Sequence, residues 1–317
     1  MSDGPAVFAW YELLTTDLAA AQSFYSKVIG WDAQDDSTPQ FAYRLFRAGS
    51  VPVAGLMELP LEGRKMGATP RWVGYVAVRE VDGAVARLKA LGGAVYVSPT
   101  DSNIGRIAIV SDPQSATLAL VGGLKYGLGA VAGGPGPGRV GWHELLAGEG
   151  KAAFSFYSAL FGWEKAEARE EAREQIKGQA QGQGQGKAGA QLLESYQLFA
   201  SGGRTLGGIF TKFAATPVPF WLYYFEVGDL DAALVQVRSG GGRLAQGPIE
   251  LVGGTWIARC IDPQGAMFAL QGSRSEAAIE NSGDVESDAA LAWSTSWGGI
   301  SSRGQLVGKK PKGRGCP

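Results

Sequence analysis

The chain has 317 residues, 45% hydrophobic and 19% charged, with a net charge of −1. That length suits two domains, each able to bury its own core, while the near-zero charge gives no field to draw in nucleic acid or an anionic membrane. No apolar run reaches the roughly 18–20 residues that span a bilayer, and the opening MSDGPAVFAWYELL lacks a basic stretch leading into an apolar one, so a cytoplasmic protein without a secretory leader is expected.

In chain order, residues 7–14 read as a strand. A helix follows, with Asp17 near its start and Ala20, Phe24 and Val28 at helical spacing. Strands are expected over 43–47, 51–58 and 72–78, then a helix over 82–91 with Asp82 at a cap-like position and Gly92-Gly93 as its left-handed stop. Strands over 94–97, 105–110 and 117–121 close the set, with an Asp-Pro-Gln turn at 112–114. Residues 124–138, ending GGPGPG, read as a linker.

The same order then starts again. WYELL at 10–14 returns as WHELL at 142–146, and Phe24-Tyr25-Ser26 and Gly30-Trp31 return as Phe156-Tyr157-Ser158 and Gly162-Trp163. Tyr43, Gly55 and Trp72 match Tyr196, Gly208 and Trp221, and SDPQSATLAL matches IDPQGAMFAL. Four blocks in one order identify a duplication. The second copy is read as strands 140–146, 195–200, 205–211, 221–227, 243–245, 255–260 and 267–271, with helices from Glu149 and over 230–238, Asp231 taking the cap-like position. An insertion over 165–190 runs from EKAEAREEAREQIK into a GQGQGQG tract without an apolar stripe, so a solvated helix and flexible loop are expected. The tail, 273–317, is low in aliphatic residues and expected to be disordered, its basic end serving solubility. Cys260, in an apolar run, is expected to be a small core residue, with no bridge to Cys316.

Two modules, 6–123 and 139–272, each opening with WYELL or WHELL and ending in a DPQ turn, resemble the glyoxalase/bleomycin-resistance/extradiol-dioxygenase (vicinal-oxygen-chelate) superfamily. The FYxxxxGW helix ends and the DxDAA helix start at 229–233 carry the rest of the likeness. It implies an α+β fold of tandem βαβββ-type modules, curling an eight-stranded mixed sheet round a cleft. Metal-dependent members take His and Glu ligands from the first and last strands of each module. The first-strand position falls on Tyr11 and His143, or in the alternative register on Trp10 and Trp142; the last-strand position falls on Ala119 and Ala269. Alanine has no donor atom, so no standard metal site and no cofactor are expected, a divalent metal being the alternative.

His143 is the single histidine, which excludes two-histidine sites in one chain. With Tyr11 it is the candidate acid–base pair. Glu12 and Glu144 stand in apolar strands and need partners, for which Arg71 is one candidate. Trp10, Trp142, Tyr75, Tyr224, Trp72 and Trp221 are the candidate ligand-binding aromatics of a cleft suited to flat or apolar small molecules. Three readings follow from these residues: a metal-independent small-molecule binder, a lyase or dioxygenase with a non-standard site round His143, or a protein–protein module without a ligand. A small-molecule partner and a monomer or homodimer are expected, with no nucleic acid or membrane contact.

Overall fold

The computed structural model of the chain describes residues 5–39, 41–65, 67–126, 136–167, 195–214, 216–251 and 254–274. Most of the expected linker, most of the insertion over 165–190 and nearly all of the tail, with Cys316, lie outside the described residues.

Module 1 comprises β1 (Phe8–Thr15), α1 (Leu18–Ile29), β2 (Asp32–Asp35), β3 (Tyr43–Ala48), β4 (Val51–Glu58), α2 (Leu61–Lys65), β5 (Arg71–Ala77), α3 (Val81–Ala90), β6 (Ala94–Asp101), β7 (Arg106–Ser111) and β8 (Thr117–Gly122). Module 2 repeats the pattern with β9 (Val140–Ala147), α4 (Gly150–Phe161), β10 (Glu164–Lys165), β11 (Gln197–Ser201), β12 (Arg204–Thr211), β13 (Phe220–Asp229), α5 (Leu230–Ser239), β14 (Arg243–Glu250), β15 (Trp256–Ile261) and β16 (Met267–Ser273). Each module therefore contains the βαβββ order twice and carries an eight-stranded mixed sheet of its own, ordered β2-β3-β4-β1-β5-β8-β7-β6 and β10-β11-β12-β9-β13-β16-β15-β14. The resemblance had implied one such sheet for the pair. In each sheet the first strand lies at the centre, parallel to the fourth and antiparallel to the fifth.

Local chemistry explains the helix ends. Asp17 and Glu149 accept backbone N–H bonds from Ala20 and from Lys151 and Ala152, and Gly30 and Gly162 end the helices at φ 83° and 71°, a region costly for other residues. Asp82 and Asp231 do not cap: they pair with Arg106 and Arg274, and Asp229 caps α5 through Ala232 N–H. Strands β2 and β10 were not expected, because DAQD and EK carry no alternating apolar pattern; both are edge strands with mostly exposed side chains.

One face of each sheet joins a core shared by both modules, in which α1, α3, α4 and α5 bury their apolar stripes. The helices cross over. Tyr25 of α1 donates to Asp262 of module 2 (3.0 Å), and Tyr157 of α4 donates to Asp112 of module 1 (3.2 Å). The same two aspartates close the Asp-Pro-Gln turns, each with one oxygen on two backbone N–H groups. Each turn thus fixes its own hairpin and ties down the helix of the other module. Cys260 lies in this shared core, where burial pushes its thiol up to about 12.

Candidate functional site

Alternation along a strand sends successive side chains to opposite faces. On β1, Tyr11 and Leu13 enter the shared core, whereas Trp10 and Leu14 lie on the far face, the one turned from the other module. The same alternation puts Trp142 on the far face of module 2 and His143 in the interior. The first-strand register is thereby decided: the tryptophans and glutamates share the far faces, and the tyrosine and histidine do not.

Each far face is built round one buried carboxylate. In module 1, Glu12 is 4% exposed and accepts from the Tyr43 hydroxyl at 2.6 Å and from the Tyr75 hydroxyl. Trp10 Nε1 donates to the Tyr43 oxygen at 3.3 Å. In module 2, Glu144 is 0% exposed and accepts from Tyr196 at 2.8 Å, Tyr224 at 2.6 Å and Arg259 Nη2 at 2.7 Å. Trp142 Nε1 donates to the Tyr196 oxygen at 3.3 Å. Gly55 and Gly208, the strand neighbours of the two glutamates, make this possible, because a Cβ at either would run into the Tyr43 or Tyr196 ring. Arg71 is not the partner of Glu12; its Nε donates to Thr69 O instead.

The two far faces differ in charge and in cover. Arg259, 4% exposed, also donates from Nε to Tyr224 (3.1 Å) and from Nη1 to Gln246 Oε1 (2.8 Å). It stands in register with Ala269, and the same place beside Ala119 in module 1 is taken by Ile109. Burial works against the Arg259 charge, but Tyr224 and Glu144 beside it hold the guanidinium above its ordinary pKa. Among the described residues Glu12 has no such cation. Burial pushes its carboxyl up, against the downward pull of Tyr43, Tyr75 and Trp10. The cover differs through Tyr126, whose ring stacks on Trp10 (centroids 5.0 Å, 26°) and whose hydroxyl donates to Asp36, leaving Trp10 1% exposed. Trp142 is half-buried, and among the described residues no ring stacks on it.

The proposed acid–base pair is brought together, but in the interior. The Tyr11 hydroxyl lies 2.6 Å from His143 Nε2, and His143 Nδ1 lies 2.7 Å from Leu206 O. A carbonyl only accepts, so Nδ1 carries the proton and Nε2 accepts from Tyr11. Phe8 stacks on the imidazole at 4.3 Å. With its lone pair used and its ring sealed, His143 has no face for a substrate or a cation. Burial lowers its pKa to about 4, so it is neutral in the fold and takes up a proton more readily when unfolded. The sign follows: the stability it lends is present above pH 6.5 and is lost as pH falls toward 4. Relative to His143→Gln, the native protein is expected to lose on the order of 3 kcal/mol across that window, read by urea titration at several pH values. Asp262, pushed up to about 6 by burial, acts in the opposite sense in both proteins and cancels in the comparison. Parallel pH profiles for the two proteins would contradict this assignment.

Trp72 and Trp221 are likewise in the shared core rather than on a far face, donating to the Tyr25 (2.9 Å) and Tyr157 (3.2 Å) hydroxyls. Of the aromatics expected to bind a ligand, Trp10, Tyr75, Trp142 and Tyr224 share the far faces with the glutamates. Arg259, Gln246, Tyr43 and Tyr196 join them and were not anticipated.

The donor set does not fit the divalent cation that the resemblance implies. Trp10 and Ala119, and Trp142 and Ala269, offer an indole and a methyl where ligands would stand. Each glutamate is committed to phenols, and a guanidinium beside Ala269 would repel a second cation. Among the described residues no group of three or more His, Cys, Asp or Glu is arranged to hold a metal, nor is any helix long and apolar enough to cross a membrane.

The sequence profile of the Glyoxalase/Bleomycin resistance protein/Dioxygenase superfamily matches residues 7–120 and 139–270. The chain is 28% identical over 268 residues to the protein named "Putative glyoxylase CFP32" of Mycobacterium tuberculosis, covering 82% of this chain and 92% of that one. It is 28% identical over 280 residues to the "Anthracycline biosynthesis protein DauV" of a Streptomyces species, covering 84% and 93%. Its fold is similar to that of the Mn(II)-bound glyoxalase from Novosphingobium aromaticivorans, with a TM-score of 0.53 at 12% identity over 86% of this chain and 84% of that one.

Proposed function

The chain belongs to the glyoxalase/bleomycin resistance protein/dioxygenase superfamily, and from that premise we propose that it binds a small, flat, largely apolar molecule on the far face of module 2, without the family's usual metal. The observation that carries this reading is the contrast between the two tryptophans. Trp10 is covered by the chain's own Tyr126, whereas its counterpart Trp142 keeps a partly exposed side chain, its indole N–H on the Tyr196 hydroxyl, in a far-face cluster that also takes in Phe213 and Met267. An aromatic wall with a few fixed polar groups is the usual make-up of a small-molecule cleft, and stacking on an indole adds about 0.5–1.5 kcal/mol beyond burial. A relative named for anthracycline biosynthesis is in keeping with a place in small-molecule chemistry.

Thermal-shift titration with two-ring aromatics tests the reading. A ligand that binds only the native state raises Tm by mass action, and Trp142→Ala is expected to weaken binding about tenfold, the equivalent of one lost stacking partner. No shift with any aromatic, or equal binding by Trp142→Ala, would remove the proposal. The competing reading, a lyase or dioxygenase built round His143, makes a different demand. Plasma mass spectrometry of the purified protein beside His143→Gln would then find a stoichiometric divalent metal in the first and not in the second.

A further inference from the structure

Trp142, Tyr224, Ala269 and Arg259 stand in one row across β9, β13, β16 and β15, each in register with the next. The arginine side chain turns back along this row, over the alanine, to reach Tyr224 and Glu144. It therefore puts a positive group at the last-strand position where the family resemblance calls for a metal-binding glutamate, and the methyl of Ala269 leaves it room. Of the five N–H groups of a guanidinium, three are engaged, one each on Nε, Nη1 and Nη2. Two remain to donate, one on each terminal nitrogen. A donor in so buried a place gains from an acceptor, and Glu144 already balances the charge, so a neutral oxygen suits it better than a second anion.

We propose that the Arg259 guanidinium is the fixed cation of this site, standing in for a metal ion and recognising a carbonyl oxygen conjugated to the flat ring held on Trp142. The inference rests on the binding reading above and adds the chemical class of its ligand. Module 1, with Ile109 and a covered Trp10, has neither part, so one such site per chain is expected.

The test compares 2-acetylnaphthalene with 2-isopropenylnaphthalene, in which a methylene replaces the carbonyl oxygen at nearly the same shape, by equilibrium dialysis against the full chain. The ketone is expected to bind about tenfold more tightly, the worth of one hydrogen bond to a charged donor. In Arg259→Met the ratio should fall to about one. Because that variant takes the guanidinium from the buried Glu144 carboxylate, Glu144→Gln/Arg259→Met is measured beside it and should show the same loss of preference. Equal affinities in the native protein would overturn the inference and leave the binding reading standing. A ketone preference that survives in the double variant would overturn it too, by showing that the arginine is not its source. Failure of both naphthalenes to bind would remove the binding reading, and the inference with it.

Discussion

Arg259→Met is expected to lower the stability of the chain by about 3–5 kcal/mol, because it removes one partner of a buried ion pair and strands the other. Glu144 is 0% exposed and in that variant loses the guanidinium while keeping its two phenolic donors. The companion result is the informative one. Glu144→Gln/Arg259→Met removes both charges and, with a side chain of similar length filling the space of the guanidinium, should recover most of the loss, since two buried charges pay about as much in desolvation as they regain from each other. Urea unfolding followed by circular dichroism reads all three proteins. A single variant within about 1 kcal/mol of the native chain would mean that the pair is far better hydrated than its burial indicates. Glu12→Gln in module 1 serves as the internal comparison. Burial already favours the neutral form of that carboxyl, no cation faces it among the described residues, and replacing it with an amide should cost much less.

The second large effect lies at the junction of the modules. Gly74 and Tyr223 occupy equivalent positions of the two copies, yet one has no side chain and the other fills the space that this leaves. The Tyr223 oxygen accepts the Gly74 N–H at 2.8 Å, and a Cβ on Gly74 would lie 2.7 Å from the Tyr223 ring. Gly74→Ala should therefore cost about 1–3 kcal/mol through overpacking, and Tyr223→Ala about 3–5 kcal/mol through the cavity it opens. The decisive measurement is the cycle: in the Tyr223→Ala background the added methyl at position 74 should cost little or nothing. Strictly additive losses would show that the two positions do not press on each other. Tyr11 and His143 repeat the lesson, as equivalent residues that have become a donor and an acceptor.

Much of this architecture is legible in the sequence. The blocks WYELL and WHELL, the Gly-Trp helix ends and the two DPQ turns announced a duplicated α+β module, because period, capping and turn chemistry act over a few residues and leave a local record. The glutamates, alone in apolar strands, already demanded partners. Two signals of the site were present and unused. Tyr43 and Gly55 return together as Tyr196 and Gly208, a paired retention that marks a ring packed over a glycine. Arg259 interrupts WIARCI where the first copy has an isoleucine, the one charge in an otherwise apolar strand.

The sequence by itself determined the repeat, most of the elements though not the edge strands β2 and β10, the family likeness and the loss of the last-strand ligands to Ala119 and Ala269. The tertiary structure alone decided which face of β1 and β9 looks outward, and so sent Tyr11 and His143 inward and Trp10, Trp142 and the glutamates to the far faces. Strand alternation fixes only that neighbours oppose each other; which set is buried between modules depends on what the other module brings against it. Here that is Phe8 and the Tyr11 hydroxyl on His143, and Tyr223 in the space of Gly74, contacts made by residues far apart in the chain and invisible in its local pattern.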